Sequence, residues 1–558
     1  MIAAIRPAGD AALLLAAGDG DQEGNGAARL AAAIRAAALP GVVDVVPGAA
    51  TVLVSYEPGG WAAADLAVRL RDVASAPAPA LPTANEPALV IPTVYDGPDL
   101  GQVAAVTGLS DVEVIFRHAA ASYRVGWLGF SPGFGYLTGL DPALAAVPRR
   151  ASPRVSVPAG SVAIAAGLAA VYPATSPGGW QLIGRTNSVL WDPDRDPPTL
   201  LSPGRHIRFQ VVDRLPPAPP VPDIPSGAVG AEAIEVLQPG LLTTVQDLGR
   251  PGLAHLGVPH SGAADPASLR LANRLAGNPD DAAGLEVTLG RLTLRFEHAA
   301  AVAVTGAPVP VTLIENGGPA TSRGRDPSDG RWPAGRRDQS DGAGSRWPER
   351  WPEAAFAVPA GSVLRLGAPT AGLRSYLAVA GGIDVQPVLG SRSADRLSGL
   401  GPAPLRPGDR LRVGRARSPI RQPADDRPRT DLATVGADPV LLRVIAGPRD
   451  DWFARDALAD LATGSYLVTP ASDRTGLRLA GSPLSRSPGR PGELPSEGVA
   501  AGSLQVTHDG QPILLLADHP TTGGYPVIAV VTAADVGLAA QLRPGQRVRF
   551  AVSRVVLG

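Results

Sequence analysis

The densest run of side chains able to do chemistry is TTVQDLGRPGLAHLGVPHSGAADP (243–266), which gathers Gln246, Asp247, Arg250, His255, His260, Ser261 and Asp265 into one short loop system. In such a loop Asp247 can orient a base and Arg250 can clamp a substrate carboxylate. Ser261 is followed by Gly262 but lacks the GxSxG surroundings of a nucleophile elbow. His255 and His260 fall outside HExxH spacing and have no evident third ligand, which argues against a metal site. A second group lies in SDRTGLRL (472–479), PSEGVAAGSLQV (495–506) and LADHPTTGGYP (516–526), where Asp473, Arg474, Glu497, Gln505, Asp518 and His519 stand near expected turns. Asp473 with Glu497 can supply an acid and a base, or hold magnesium; the plainer alternative is hydrogen bonding to turn amides. From residues alone, an enzyme acting on a small anionic or amide substrate is favoured over a binding module.

Two further stretches suit binding. In YRVGWLGFSPGFGYLTGLDP (123–142) glycines alternate with Trp127, Phe130, Phe134 and Tyr136. That pattern fits the floor of an apolar-walled pocket, or equally a tight hairpin whose aromatics plug a barrel end. In SPGGWQLIGRT (176–186) the amides around Gly178 and Gly179, with Arg185 nearby, can hold a carboxylate or phosphate. The alternative is a simple glycine turn with Arg185 on the surface. Neither a Walker lysine nor GxGxxG in a dinucleotide context appears.

The elements that must carry these residues repeat along the chain. VPAGSVAIAAG, SPGGWQLIG and LSPGRHIRF (157–209) return as VAAGSLQV, TTGGYPVIA and LRPGQRVRF (499–550), in the same order and at nearly the same separation. A partial copy, VPAGSVLRLG and LRPGDRLRVG (358–414), lies between them. Duplicated β-units in series are implied. Closing short strands into barrels hides their edges. The expected organisation is a small α/β domain over 1–80, a barrel over 89–213, a proline-rich linker over 214–231, a second barrel over 232–418 and a third over 440–558. A polar insertion without periodicity is expected near 320–353. Further proline-rich links are expected over 76–88 and 418–439. Helices are expected after Asp99, after Ser110 (with Glu113 at capping-box spacing) and over 266–277, where Asp265 caps and Leu269, Leu271, Ala272 and Leu275 form the apolar stripe.

Composition sets outer limits. The 558 residues leave room for several domains, and 51 acidic against 50 basic residues give a net charge of -1, so no basic surface for nucleic acid or anionic membrane is indicated. With 66 glycines and 59 prolines the chain suits many short strands joined by turns. It has no cysteine, which excludes disulfides and thiolate chemistry. No long apolar stretch or leader pattern is evident, so a cytoplasmic protein is the expectation.

The sequence is also similar to known families. YRVGWLGFSPGFGYLTGLDP, PRRASPRVSVPAGSVAIA and SPGGWQLIGRT resemble the allophanate-hydrolase subunit 1 (KipI) family. GLLTTVQDLGRPG, GVPHSGAADP, LANRLAGNP, LEVTLG, YLAVAGGIDV, LGSRSAD, SDRTGLRL, SEGV, GSLQV and TTGGYPVIAVV resemble subunit 2, the KipA or biotin-dependent carboxyltransferase-like family. The resemblance implies a fusion of two modules, with tandem cyclophilin-like β-barrels preceded by a small α/β domain. It also implies the B and C subunits of ATP-dependent 5-oxoprolinase, which opens pyroglutamate to glutamate with a separate partner subunit of the LamB/YcsF type. ATP would be the cosubstrate, with magnesium, and a homo-oligomer is compatible. The implied catalytic groups are Asp247, Asp473 and Glu497, with Asp473 or Glu497 as general base or magnesium carboxylate. Phe134, Tyr136, Gly178, Gly179, Arg185, Arg250, Ser261, Arg474 and Gln505 are the implied substrate contacts. Alternatives are the carboxyltransferase of a urea-carboxylase-like biotin enzyme, or a KipI-like sensor-kinase regulator. No biotin-carrier signature is present, so no covalently bound biotin is expected. Val527 departs from the family pattern, which commonly has lysine after GGYP.

Overall fold

The computed structural model describes residues 2–18, 26–76, 87–217, 233–315, 345–346, 355–415, 436, 438–490 and 493–553. Most of the expected insertion near 320–353, and most of each expected linker, lies outside these residues.

The strands Ile2–Pro7, Ala12–Ala17, Thr51–Tyr56 and Val42–Pro47 form an antiparallel sheet in that spatial order. ALLLAA reads as a continuous apolar run because both faces of its strand are covered. Leu13 and Leu15 pack with Leu30 and Ile34 of helix Gly26–Ala36 and Leu66 and Leu70 of helix Ala63–Ser75. Ala12 and Leu14 face the other way, with Leu53, Val46 and, from far along the chain, Ala254.

A seven-stranded sheet follows. Its strands lie in the order Leu89–Thr93, His206–Val211, Tyr123–Leu128, Gly135–Thr138, Leu168–Val171, Ser161–Ala165 and Gln181–Arg185. The two outer strands meet where Val94 and Arg185 exchange backbone hydrogen bonds of 2.9 and 2.8 Å, which closes the sheet into a barrel. The C-terminal part is a closed barrel in the order Val440–Ala446, Arg547–Ser553, Tyr466–Val468, Gly476–Ala480, Pro512–Leu515, Ser503–Val506 and Val527–Val531. Strand for strand this is the same topology, including the parallel pairing of first strand with last. The sequence repeat therefore marks a structural duplication. Gly160 and Gly502 occupy the same turn at φ 78° and 84°, where a β-carbon would be strained.

Between the barrels, residues 233–315 and 355–415 form two facing sheets around one core that includes Val236, Leu285, Phe296, Val304, Leu364 and Leu377. Helix Pro266–Leu275 lies on the five-stranded sheet; Leu269, Leu271, Ala272 and Leu275 pack on Ala303, Tyr376 and Ala378. Asp265 caps it by accepting from Ser268 N–H at 3.2 Å. Ser110 caps helix Asp111–Ala120 through Glu113 N–H, but the Glu113 carboxylate turns to Arg117 at 2.8 Å instead of completing the box. Among the described residues no helix is long and apolar enough to cross a membrane.

Candidate functional site

The loop that carries Asp247 and Arg250 is built around their buried side chains. Asp247 Oδ1 accepts from Gly249 N–H at 2.8 Å and from the hydroxyls of Ser391 and Ser393 at 2.6 and 2.5 Å, and Oδ2 accepts from Arg392 N–H at 2.6 Å. Arg250 donates from Nε to the Val388 carbonyl at 3.1 Å and from Nη2 to the Ser393 carbonyl. Both side chains thus fasten TTVQDLGRPG to the 388–393 loop, with their polar atoms spent largely on backbone and serines.

Next to them is a buried charge network. Arg474 is 2% exposed; its Nε and Nη2 donate to the two oxygens of Asp518 at 2.9 Å each, Nη1 pairs with Glu286, and Nη2 also reaches the Gly262 carbonyl at 2.6 Å. Glu286 Oε2 accepts from Tyr376 hydroxyl at 2.8 Å and Ala264 N–H at 2.9 Å. Burial pushes the Glu286 carboxyl up, but Arg474 and Arg374 outweigh it and hold the group below the ordinary glutamate range. Asp395 lies near the Asp518 charge. Burial first, and Asp518 second, push its carboxyl up to about 6. Between its ordinary value of about 3.9 and 6 the folded chain therefore keeps a proton that the unfolded chain releases, so this contribution is present at low pH and lost as pH rises through about 6. Asp395→Asn is expected to flatten the fall in unfolding midpoint between pH 4.5 and 7, with a difference from the parent on the order of 2 kcal/mol; parallel pH profiles of the two proteins check this.

Ser261 stands where this network meets a cavity. Its hydroxyl donates to Asp518 Oδ1 at 2.8 Å, and its backbone sits at φ 54°, a left-handed conformation costing roughly 1–3 kcal/mol in a residue with a β-carbon. The cavity, about 590 Å³, is walled by the outer face of the N-terminal sheet (Ala8, Ala12, Leu53), by the 248–266 loops, and by the C-terminal barrel (Val499, His519, Thr521, Val530). That volume is ordinary for a small-molecule site. Most of the wall is apolar, and Ser261, His519 and Thr521 form its polar corner. The Nδ1 of His519 lies 2.8 Å from the Pro520 carbonyl, which takes a proton-bearing nitrogen and leaves Nε2 with its lone pair. Burial holds His519 below the ordinary histidine range, so the ring is neutral near pH 7. Thr521 Oγ1 is buried without a partner among the described residues. His260 and Asp44 also line the cavity, and Asp10 and Arg270 are exposed lining residues. Asp44 fixes the loop from the other module, accepting from Ala254 N–H at 3.0 Å.

A second meeting place of the modules surrounds Glu497. It is 2% exposed; Arg449 donates from Nε and Nη2 to Oε2 at 2.9 and 2.6 Å, while Oε1 has no hydrogen-bond partner among the described residues. Burial raises this carboxyl above its ordinary range. Beside it, Ser496 hydroxyl lies 3.3 Å from Tyr136 hydroxyl, itself 3.4 Å from Thr522 hydroxyl. Tyr136 stacks on Trp127 at 4.6 Å, and Phe134, Tyr172 and Trp180 complete the aromatic cluster. A β-carbon at Gly178 would collide with the Tyr172 hydroxyl, so that glycine serves close packing. Gly179 has only ordinary contact with Pro153. Gln505 donates to the Tyr525 carbonyl at 3.2 Å.

Of the expected site residues, Ser261 lines the cavity, with Arg474 directly behind it and Asp247 and Arg250 in the supporting loops. Phe134, Tyr136, Gly178, Glu497 and Gln505 gather around the second junction. Asp473 is exposed, and its Oδ1 accepts from the amides of Thr475 and Gly476. Arg185 is 57% exposed and pairs with Asp96 at 2.8 Å, away from both places. Val527 is buried with Val499, Leu515 and Val530, so the departure from lysine fits an apolar site in this chain. Glu286 and Asp44 escaped sequence reasoning. A lone carboxylate in the apolar strand LEVT was the available signal for the first, and nothing local marked the second.

The comparisons with known proteins agree with this architecture. The carboxyltransferase domain, subdomain C and D, matches residues 3–201, and the carboxyltransferase domain, subdomain A and B, matches residues 256–325 and 343–552. The C subunit of Escherichia coli 5-oxoprolinase is 37% identical over 324 residues, spanning 57% of this chain and 90% of its own length. The B subunit of Bacillus subtilis 5-oxoprolinase is 39% identical over 224 residues, spanning 37% of this chain and 91% of its own. The crystal structure of TTHA0988 superposes with a TM-score of 0.78 at 34% identity, covering 97% of this chain and 99% of that one. The chain belongs to the carboxyltransferase-domain family. Within it, one part similar to the B subunit of 5-oxoprolinase and another similar to the C subunit are joined in one polypeptide.

Proposed function

We propose that this chain is the joined B and C parts of an ATP-dependent 5-oxoprolinase, converting 5-oxo-L-proline to L-glutamate with a separate partner of the LamB/YcsF type. The observation that carries the reading is the cavity at Ser261 and His519, because both parts of the fusion wall it. A γ-lactam resists direct attack by water, and transfer of a phosphoryl group from ATP to its carbonyl oxygen creates both an electrophile and a leaving group. The polar corner suits the step that follows. His519 Nε2 accepts the proton of the attacking water, with its tautomer fixed through Nδ1. Ser261, held by Asp518, positions the substrate, and Arg270 offers its carboxylate a guanidinium.

Among the described residues no three His, Asp or Glu side chains converge as metal ligands. Magnesium that travels with nucleotide phosphates needs only one or two carboxylates; Glu497, buried and already paired with Arg449, does not fit that contact. When bound, the ion would neutralise phosphate charge.

The test is 5-oxoproline-dependent ATP hydrolysis and glutamate formation by the purified chain, with and without a LamB/YcsF-type partner. Turnover that needs both proteins supports the reading. Absence of turnover in an assembled, folded pair ends it, and carboxyl transfer from carboxybiotin would replace it with the transferase alternative.

A further inference from the structure

The duplicated barrels carry the same turn with opposite charge. Gly97-Pro98-Asp99 follows the first strand of one barrel, and Gly447-Pro448-Arg449 follows the first strand of the other. In both, the glycine N–H donates into the facing strand, to Ile183 at 3.2 Å and Ile528 at 2.8 Å. The next-but-one N–H does the same, to Leu182 at 3.0 Å and Val527 at 3.2 Å. The charged side chain then meets a residue on an equivalent two-stranded ribbon, Arg154–Val157 with Ser176–Gly178 in one barrel and Glu497–Gly498 with Thr522–Gly523 in the other.

Among the described residues, charge is balanced at only one of these places. In the C-terminal barrel Arg449 pairs with Glu497, and Arg6 and Arg490 pair with Asp450 and Asp451. In the first barrel Asp99 must serve both Arg150 and Arg154, at 3.0 and 2.8 Å, while Arg149 lies 3.4 Å from Glu493. Three guanidinium groups thus face two carboxylates. They are 27%, 34% and 24% exposed, partly shielded yet reachable. The buried Nε of Arg150 has no hydrogen-bond partner among the described residues, and Arg150 N–H donates to the Gly179 carbonyl at 2.7 Å, which ties the cluster to the glycine turn. Arg149 extends to the matching turn of the other module, where a β-carbon on Gly524 would sit 2.8 Å from its Nη1. The sequence contains no lysine, so guanidinium is its strong phosphate-binding cation.

We propose that Arg150 and Arg154, beside the Gly178–Gly179 turn, together with Arg149, which reaches the Gly524 turn, bind a phosphate oxyanion at the junction of the two modules. The equivalent place in the C-terminal barrel is already neutralised by its own carboxylates. Identifying the ligand as a nucleotide rests on the 5-oxoprolinase reading; the oxyanion site itself does not.

The experiment is calorimetric titration of the full chain with ATP and, separately, with pyrophosphate, at low and moderate salt. The parent is expected to bind at least one of them, more weakly as salt rises. Arg149→Gln with Arg150→Gln is expected to weaken that binding at least tenfold without moving the unfolding midpoint by more than a degree or two, while Arg295→Ala, a surface change, leaves binding as it was. Binding of ATP alone identifies a nucleotide, and equal binding of both identifies the phosphate chain as the recognised group. No binding of either by the parent, undiminished binding by the double variant, or loss on Arg185→Ala in its place would overturn the proposal. The two readings separate cleanly: turnover that persists with unchanged nucleotide KM in the double variant removes this site and keeps the oxoprolinase, whereas arginine-dependent binding without turnover does the reverse.

Discussion

Arg474→Ala is expected to destabilise the C-terminal half by about 3–5 kcal/mol, among the largest effects available to a single substitution in this chain. The side chain is 2% exposed and its charge is shared by Glu286 and Asp518, which are 1% and 0% exposed. Removing it leaves Asp518 as a buried carboxylate with, among the described residues, only Ser261 hydroxyl and the Arg396 N–H, at 3.3 Å, to satisfy it. The loss also uncouples two layers, because Glu286 sits on the five-stranded sheet and Arg474 at the edge of the closed barrel. Urea unfolding followed by the fluorescence of Trp452, which is packed in the barrel core, measures the shift. Adding Glu286→Gln to the variant is expected to cost much less than Glu286→Gln costs alone, since the two groups act as one unit. Additive losses would show that the pair is not coupled. Arg185→Ala, on an exposed pair, is expected to stay within about 0.5 kcal/mol.

The contrast between Arg474 and Arg185 shows what the sequence makes legible. The barrels could be read because repeated turns and period-two strands are local signals, and the duplicated order of VPAGSVAIAAG and its partners is matched strand for strand by the two barrels. The capped helix over Pro266–Leu275 was equally readable, since cap, first-turn proline and stripe all lie within one dozen residues. Site residues were legible by type but not by place. Arg185, close after a glycine turn, looks as apt for an anion as Arg150, yet strand pairing with Val94 carries it to Asp96 and the surface. Asp99 looks like a helix cap. Instead its carboxylate is taken by Arg150, Arg154 and the Leu182 N–H, partners more than 50 residues away. Asp44 lies 210 residues from the Ala254 amide it holds, and no periodicity encodes such a pairing. The first two cases are decided by strand pairing and loop return within one barrel, and the third by which module docks on which, which is written in the complementarity of two surfaces and not in either segment.

His519→Ala is expected to lower turnover of the assembled enzyme by about 10²–10⁴-fold, the usual worth of a positioned proton acceptor, with little change in the KM for 5-oxoproline. Three features of the ring point the same way. The ring lines the cavity beside Ser261, Nδ1 is committed to the Pro520 carbonyl, and burial keeps the imidazole neutral. A depressed histidine binds its proton only below the ordinary value of about 6.5, so the acid limb of the kcat profile is expected to begin below that pH and to disappear in the variant. The same shift has a stability consequence. The unfolded chain binds the proton first, and the contribution from neutral His519 is therefore full above about 6.5 and lost as pH falls through the folded value. Added imidazole is expected to restore part of the lost turnover, which a purely structural defect would not allow. Full activity in His519→Ala, or an acid limb unchanged by it, would move the proton acceptor to another residue of the cavity, with His260 the next to replace. Its Nε2 lies 2.9 Å from the Leu248 carbonyl, so the free nitrogen there would be Nδ1, and the geometry of attack would have to change with it.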